Sequence, residues 1–114
     1  MHELSLMEEV RRQALAAAAA EGATRITRVR LRVGELAGVD ADALRFAFPV
    51  VMAATIAEAA VLAIEAVPAT AFCGSCRQPF ACPDGLADCP TCGTISLELL
   101  TGRELELASL ELVT

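Results

Sequence analysis

Two Cys-x-x-Cys pairs, Cys73-Gly74-Ser75-Cys76 and Cys89-Pro90-Thr91-Cys92, constrain this chain more than any other feature. Each pair wraps two thiolates around one edge of a tetrahedron, and the loop between them lets the second pair close the opposite edge. Four soft sulfur donors with no open position describe a structural Zn(II) rather than a catalytic one. A thioredoxin-type redox pair opens a helix after a strand, whereas these two sit among Gly, Pro, Asp and Thr. A disulfide framework needs an oxidising compartment, and no stretch reads as an export signal. Cys82 is left over, with Phe80 before it and Pro83 after it. It reads as a packed or free thiol, because tetrahedral zinc takes four ligands.

At 114 residues the chain is of single-domain size. The zinc loop is too short to bury a core of its own, so metal replaces the core there. The formal net charge is −6, and four thiolates with one divalent cation take it to about −8. That balance argues against a generic nucleic-acid binder, whose affinity rests on neutralising phosphates. Residues 14–20 form an apolar run far shorter than the ~20 residues a bilayer needs, and the run from 50 to 64 is broken by Glu58. No membrane association is expected, and the cytoplasm is the expected compartment.

Along the chain, Ser5 and Glu8 form a capping box that predicts a helix from residues 4–6 to about 20. Leu6, Met7, Val10 and Ala14 share one side of it, with Glu8 placed four residues before Arg12 and Gly22 as its stop. Over residues 25–33 the period changes to two: Thr27, Val29, Leu31 and Val33 alternate with Arg28, Arg30 and Arg32. The arginine face reads either as a recognition stripe or, in an acidic chain, as a solvated face paired with Glu on neighbouring strands. Gly34 and Gly38 bracket a turn, and Asp40 or Asp42 can cap a second helix carrying Leu44, Phe48, Val51 and Thr55 on one face. Pro49 inside it predicts a kink or an early end. Residues 61–67 read as a strand, and residues 97–100 and 105–112 as a closing hairpin with a bulge at Ala108 and Ser109. The sum is an α+β chain: a small mixed sheet with two helices, residues 1–68 and 97–114, and an inserted four-cysteine zinc lobe, residues 69–96.

The sole histidine is His2. A terminal histidine alone carries little weight. Here the α-amine of Met1, the His2 amide nitrogen and the His2 imidazole can form a fused chelate, with the Glu3 amide or carboxylate as fourth donor. Ni(II) and Cu(II) favour such planar nitrogen sets, whereas Zn(II) and Mg(II) do not. The chain holds neither a phosphate-binding GxxxxGK[ST] loop nor a nucleophile with a neighbouring base, and it reads as a non-enzyme. On the cysteines alone, a zinc-ribbon module binding nucleic acid or a transcription complex is the competing reading. A redox sensor using Cys82 or the zinc thiolates is a third.

The Met1-His2-Glu3-Leu4 start, Val33-Gly34-Glu35-Leu36 followed by Gly38, Val39 and Asp40, the run Leu44 to Phe48 and the two cysteine pairs together resemble the HypA/HybF hydrogenase nickel-insertion accessory proteins, essentially end to end. The resemblance implies a metallochaperone that takes Ni(II) at its amino terminus as transient cargo and keeps Zn(II) as a structural ion. The partners it implies are a nickel-supplying GTPase and the large-subunit precursor of a [NiFe]-hydrogenase, and some members also serve urease. It carries Met1, His2 and Glu3 over as nickel-site residues and Asp40 as a nearby carboxylate, against the plain reading of Asp40 as a helix cap. Residues 1–68 with 97–114 become the nickel-binding domain and residues 69–96 the zinc-binding lobe. Pro49 and Cys82 depart from the family's pattern.

Overall fold

The computed structural model describes residues 3–114, in the order α1 (Glu3–Ala20), β1 (Arg25–Gly34), α2 (Ala41–Met52), β2 (Val61–Val67), β3 (Thr70–Cys73), β4 (Gln78–Ala81), β5 (Leu99–Thr101) and β6 (Leu105–Val113). The strands form two three-stranded sheets, β2-β1-β6 and β4-β3-β5. The described residues pack as two compact units, one of residues 3–32, 39–65 and 106–114, the other of residues 33–38 and 66–105. The fold is α+β, as the periodicities predict. The second unit is larger than residues 69–96, because it takes in residues 33–38, 66–68 and 97–105 as well.

In the first unit α1 packs on α2. Met7, Val10, Ala14 and Ala18 are buried along α1 at helical spacing, with Leu44, Ala47, Phe48, Val51 and Met52 on α2 and Ile26, Val29 and Leu31 on β1. Each large side chain so buried contributes about 1.5–3 kcal/mol. The predicted capping box is not formed: Glu3 is already helical, so Ser5 lies inside α1. At the other end Gly22 is left-handed (φ +67°), its N–H bonds Ala19 O at 3.1 Å and the Ala23 N–H bonds Ala18 O at 2.9 Å. That pair of bonds is the glycine stop that the sequence announces. Arg12 pairs with Glu9 (Nε to Oε2, 2.9 Å) rather than with Glu8, because Glu9 one turn back presents both oxygens to the guanidinium. These bonds hold the Glu9 carboxyl down to about 2.

On β1, Val29, Leu31 and Val33 are buried as expected, but Ile26, not Thr27, takes the inner position at the start. Arg28 and Arg32 of the other face meet carboxylates of the neighbouring strands. Arg32 bonds Glu65 of β2 and Glu106 of β6, each at 2.9 Å, and Arg28 lies 3.5 Å from Glu111 of β6. The solvated, paired face is thus the reading the structure supports. Glu106 and Glu111 are five residues apart, yet both reach this one face. A strand of strict period two cannot arrange that, and its burial changes phase at the exposed Ala108 and Ser109, where the bulge is expected.

Helix α2 starts at its cap, Asp40, whose Oδ1 accepts from the N–H of Asp42 (2.9 Å) and of Ala43 (3.4 Å). It runs through Pro49 and ends three residues later at Met52, followed by Ala54 at φ +62°. Thr55 is therefore outside the helix, where its hydroxyl donates to Met52 O at 2.7 Å.

In the second unit, β3 pairs antiparallel with β4 (Thr70 opposite Ala81, Cys73 opposite Gln78) and with β5 (Ala71 opposite Leu99). The predicted hairpin of residues 97–100 with 105–112 is corrected here: β5 joins β3, while β6 belongs to the other sheet. The chain turns between them at Gly102 (φ +124°), which a glycine alone adopts without strain. Ala69, Ala71 and Cys82 form a small buried cluster with Leu36, Phe80, Ala87 and Leu99 packed against it.

Candidate metal centre

The turn from β3 into β4 carries the first cysteine pair, and its backbone is set by two bonds. The Arg77 N–H donates to Cys73 O at 2.7 Å, and the Cys76 N–H donates to Cys73 Sγ at 3.3 Å. The second pair repeats the first bond: the Gly93 N–H donates to Cys89 O at 2.8 Å. In both knuckles the residue after the second cysteine is left-handed, Arg77 at φ +56° and Gly93 at φ +75°. The second knuckle is closed further by the Cys89 N–H to Thr94 O bond at 2.9 Å and the bridge between Asp88 and Ile95.

These turns bring the sulfurs of Cys73, Cys76, Cys89 and Cys92 within 4.8 Å of one another. Cys73 Sγ lies 3.6 Å from Cys92 Sγ, and Cys89 Sγ lies 4.0 Å from Cys76 Sγ. Zn–S bonds of about 2.3 Å place tetrahedral sulfurs about 3.8 Å apart, midway between those values. Donor type, number and spacing therefore all suit a metal such as zinc. Protons are held unequally among the four thiols. Thr94, whose Oγ1 lies 3.2 Å from Cys92 Sγ, stabilises the Cys92 thiolate and lowers that thiol to about 6. Backbone N–H groups of Cys92 and Thr91 lower Cys89, whereas Cys76, bonded first of all to the Cys92 sulfur, is pushed up to about 12. The sequence reading missed Thr94 and the left-handed Arg77 and Gly93; the signal for all three is their position just after each pair. Cys82 is 2% exposed and packs in the apolar cluster, outside the four-sulfur group.

Of the residues read as a nickel site, Met1 and His2 lie outside the described residues. Glu3 and Asp40 are brought together: the Asp40 backbone N–H donates to Glu3 Oε2 at 3.3 Å, while the Asp40 side chain caps α2. The Val33-Gly34-Glu35-Leu36 motif has a different task. The Gly34 N–H donates to Glu104 O (2.6 Å), the Leu36 N–H to Gly102 O (2.7 Å), the Glu35 N–H to Val67 O (2.9 Å), and Glu35 Oε1 accepts from the Ala69 N–H (2.8 Å). It ties the second unit together at the point where the strand that feeds it ends.

Among the described residues no helix is long and apolar enough to cross a membrane. The family described as "Hydrogenase/urease nickel incorporation, metallochaperone, hypA" matches residues 1–112. Relatives named "Hydrogenase maturation factor HypA" include one from Picosynechococcus sp., 44% identical over 99% of this chain and 100% of its own length. Another, from Chloroflexus aggregans, is 46% identical over 97% of this chain and 98% of its own. The solution structure of the Ni metallochaperone HypA from Helicobacter pylori superposes with a TM-score of 0.69, at 25% identity over 99% of this chain and 98% of that one. A further solution structure of a HypA protein gives 0.72 at the same identity, over 99% of this chain and 97% of that one. With a helical pair, two small sheets and a four-sulfur cluster at the spacing of a bound metal, this chain is a member of the HypA family of hydrogenase/urease nickel-incorporation metallochaperones.

Proposed function

We propose that this chain carries Ni(II) at its amino terminus and delivers it to the large-subunit precursor of a [NiFe]-hydrogenase during maturation. The observation that carries the reading is a family match that begins at residue 1, where Met1, His2 and Glu3 offer nitrogen donors, in a chain whose four clustered cysteines suit a different metal. The cysteine cluster keeps Zn(II) permanently, because four thiolates leave the ion no open position through which cargo could exchange. Planar nitrogen donors suit Ni(II), which they hold and release by ligand exchange. Met1, His2 and Glu3 are the proposed nickel-site residues, with Asp40 beside Glu3. Residues 1–68 with 97–114 carry the cargo, and residues 69–96 form the zinc-holding lobe.

The chain acts as a carrier and not as an enzyme, in the cytoplasm. A hydrogenase-maturation GTPase supplies the nickel and any nucleotide energy, and neither nucleic acid nor membrane is a partner. Nickel titration of untagged protein tests the site beside His2→Ala and a variant extended by one residue before Met1. Wild type is expected to bind one Ni(II), and both variants are expected to lose it while zinc stays at one per chain. Equal binding by all three would overturn the reading, and affinity for DNA falling steeply with salt would favour a zinc-ribbon module instead.

A further inference from the structure

We infer that the four-cysteine centre opens at Cys92, and that Thr94 is the positioning residue that holds this cysteine closed on the metal. The inference rests on the zinc reading above and gives unequal roles to four ligands that the motif leaves equivalent. Burial separates them first: Cys73 is 1% exposed and Cys89 5%, Cys76 is half-buried, and Cys92 alone of the four is exposed. Four thiolates leave no open position, so an incoming donor has to displace one of them, and the one it can approach is Cys92. A cleft of about 620 Å³ runs beside the cluster, lined by Gly74 and Ser75 of the first knuckle and by Thr94 and Ile95 next to the second. It brings solvent to the side of the cluster that Thr94 lines.

Thr94 Oγ1 lies 3.2 Å from Cys92 Sγ. A cysteine that ligates a metal is a thiolate with no proton to give, so in the loaded centre the hydroxyl donates and the sulfur accepts. That bond draws charge from the lone pairs that solvent protons and electrophiles attack, and it restrains the side chain where the other three sulfurs meet. The hydroxyl acts from a fixed support. The Thr94 carbonyl accepts from the Cys89 N–H at 2.9 Å, Asp88 and Ile95 form a bridge alongside, and two residues further on the Ser96 N–H donates to Ala87 O at 2.7 Å while its hydroxyl donates to Phe72 O. The segment is thus tied both to the second knuckle and to β3, which carries Cys73. Cys73 Sγ by contrast receives a backbone bond, from the Cys76 N–H at 3.3 Å, which no side-chain substitution removes.

The test takes zinc-loaded wild type, Thr94→Val and Thr94→Ser. Zinc release is followed with the chromophoric chelator pyridylazoresorcinol, and in parallel a limiting amount of iodoacetamide is added and the labelled cysteine located by peptide mass spectrometry. In wild type the first label is expected on Cys92. Thr94→Val is expected to release zinc about tenfold faster, the scale of losing a hydrogen bond to a metal ligand, and to label Cys92 faster while Cys73, Cys76 and Cys89 stay behind it. Thr94→Ser keeps the hydroxyl and is expected to stay within about twofold of wild type. A first label on Cys76, or labels spread evenly over the four, overturns the assignment of Cys92. Release unchanged in Thr94→Val, or raised equally in Thr94→Ser, overturns the role of the hydroxyl. Faster labelling of all four sulfurs together in Thr94→Val means a loosened lobe and overturns it as well. Wild type that carries no zinc strikes the zinc reading instead, so the two failures are told apart.

Discussion

Replacing Gly34 with alanine is the most severe single-atom change the structure identifies. A Cβ at Gly34 would fall inside the van der Waals surface of the Gly102 carbonyl and 2.6 Å from Arg103 N, all of it backbone with no rotamer to turn away. Relief requires the 102–103 backbone to retreat by about an ångström, which breaks the Gly34 N–H to Glu104 O and Leu36 N–H to Gly102 O bonds. Two net hydrogen bonds are worth about 1–3 kcal/mol together, and forcing an atom into a packed site costs about 1–3 kcal/mol more. A loss of about 3 kcal/mol is expected, which in a chain of this size lowers the melting temperature by roughly 12 °C. Urea denaturation followed by far-ultraviolet circular dichroism measures it. Gly38→Ala is the control: its φ is +73° and nothing lies within 4 Å of an added Cβ, so only the left-handed penalty of about 1 kcal/mol applies. A Gly34→Ala loss no larger than that of Gly38→Ala would refute the close-approach argument.

Arg77→Gly removes a left-handed side chain from the first knuckle and is expected to stabilise by up to about 1 kcal/mol, read by the same denaturation, provided the zinc content is unchanged. Stripping zinc with a chelator is expected to abolish exchange protection at amides of β3 and β4 near Cys73 and Gln78, since the cluster replaces a core there; retained protection would mean that the strands stand without metal. The Glu9 carboxyl, held to about 2 by Arg12 first and by the Gln13 amide second, is expected to titrate higher in Arg12→Ala but still below the ordinary 4.5, because the Gln13 bond remains, as carbon chemical shifts would show. A depressed carboxylate stabilises the fold fully above its unfolded value and loses that contribution as pH falls from 4.5 towards 2. The acid limb of stability should therefore flatten slightly in the variant, and not at all in high salt if screening already removes it.

The sequence by itself determined what depends on spacing along a few residues. Two Cys-x-x-Cys pairs specify a four-sulfur cluster because each knuckle closes locally. Helical spacing of Met7, Val10 and Ala14 specifies the buried face of α1, and Gly22 its end, because a turn is set by its own residues. The capping role of Asp40 was legible for the same reason. Tertiary structure alone decided which of several compatible partners each group takes. Residues 99–101 can pair with any free strand, and which one they take, β3, is fixed only when the second unit is assembled. Arg12 chose Glu9 over Glu8, and Cys82 became core, because packing fixes distances that periodicity leaves open. The bond between Glu3 and the Asp40 amide spans 37 positions, a choice made only once α1 and α2 share a buried face.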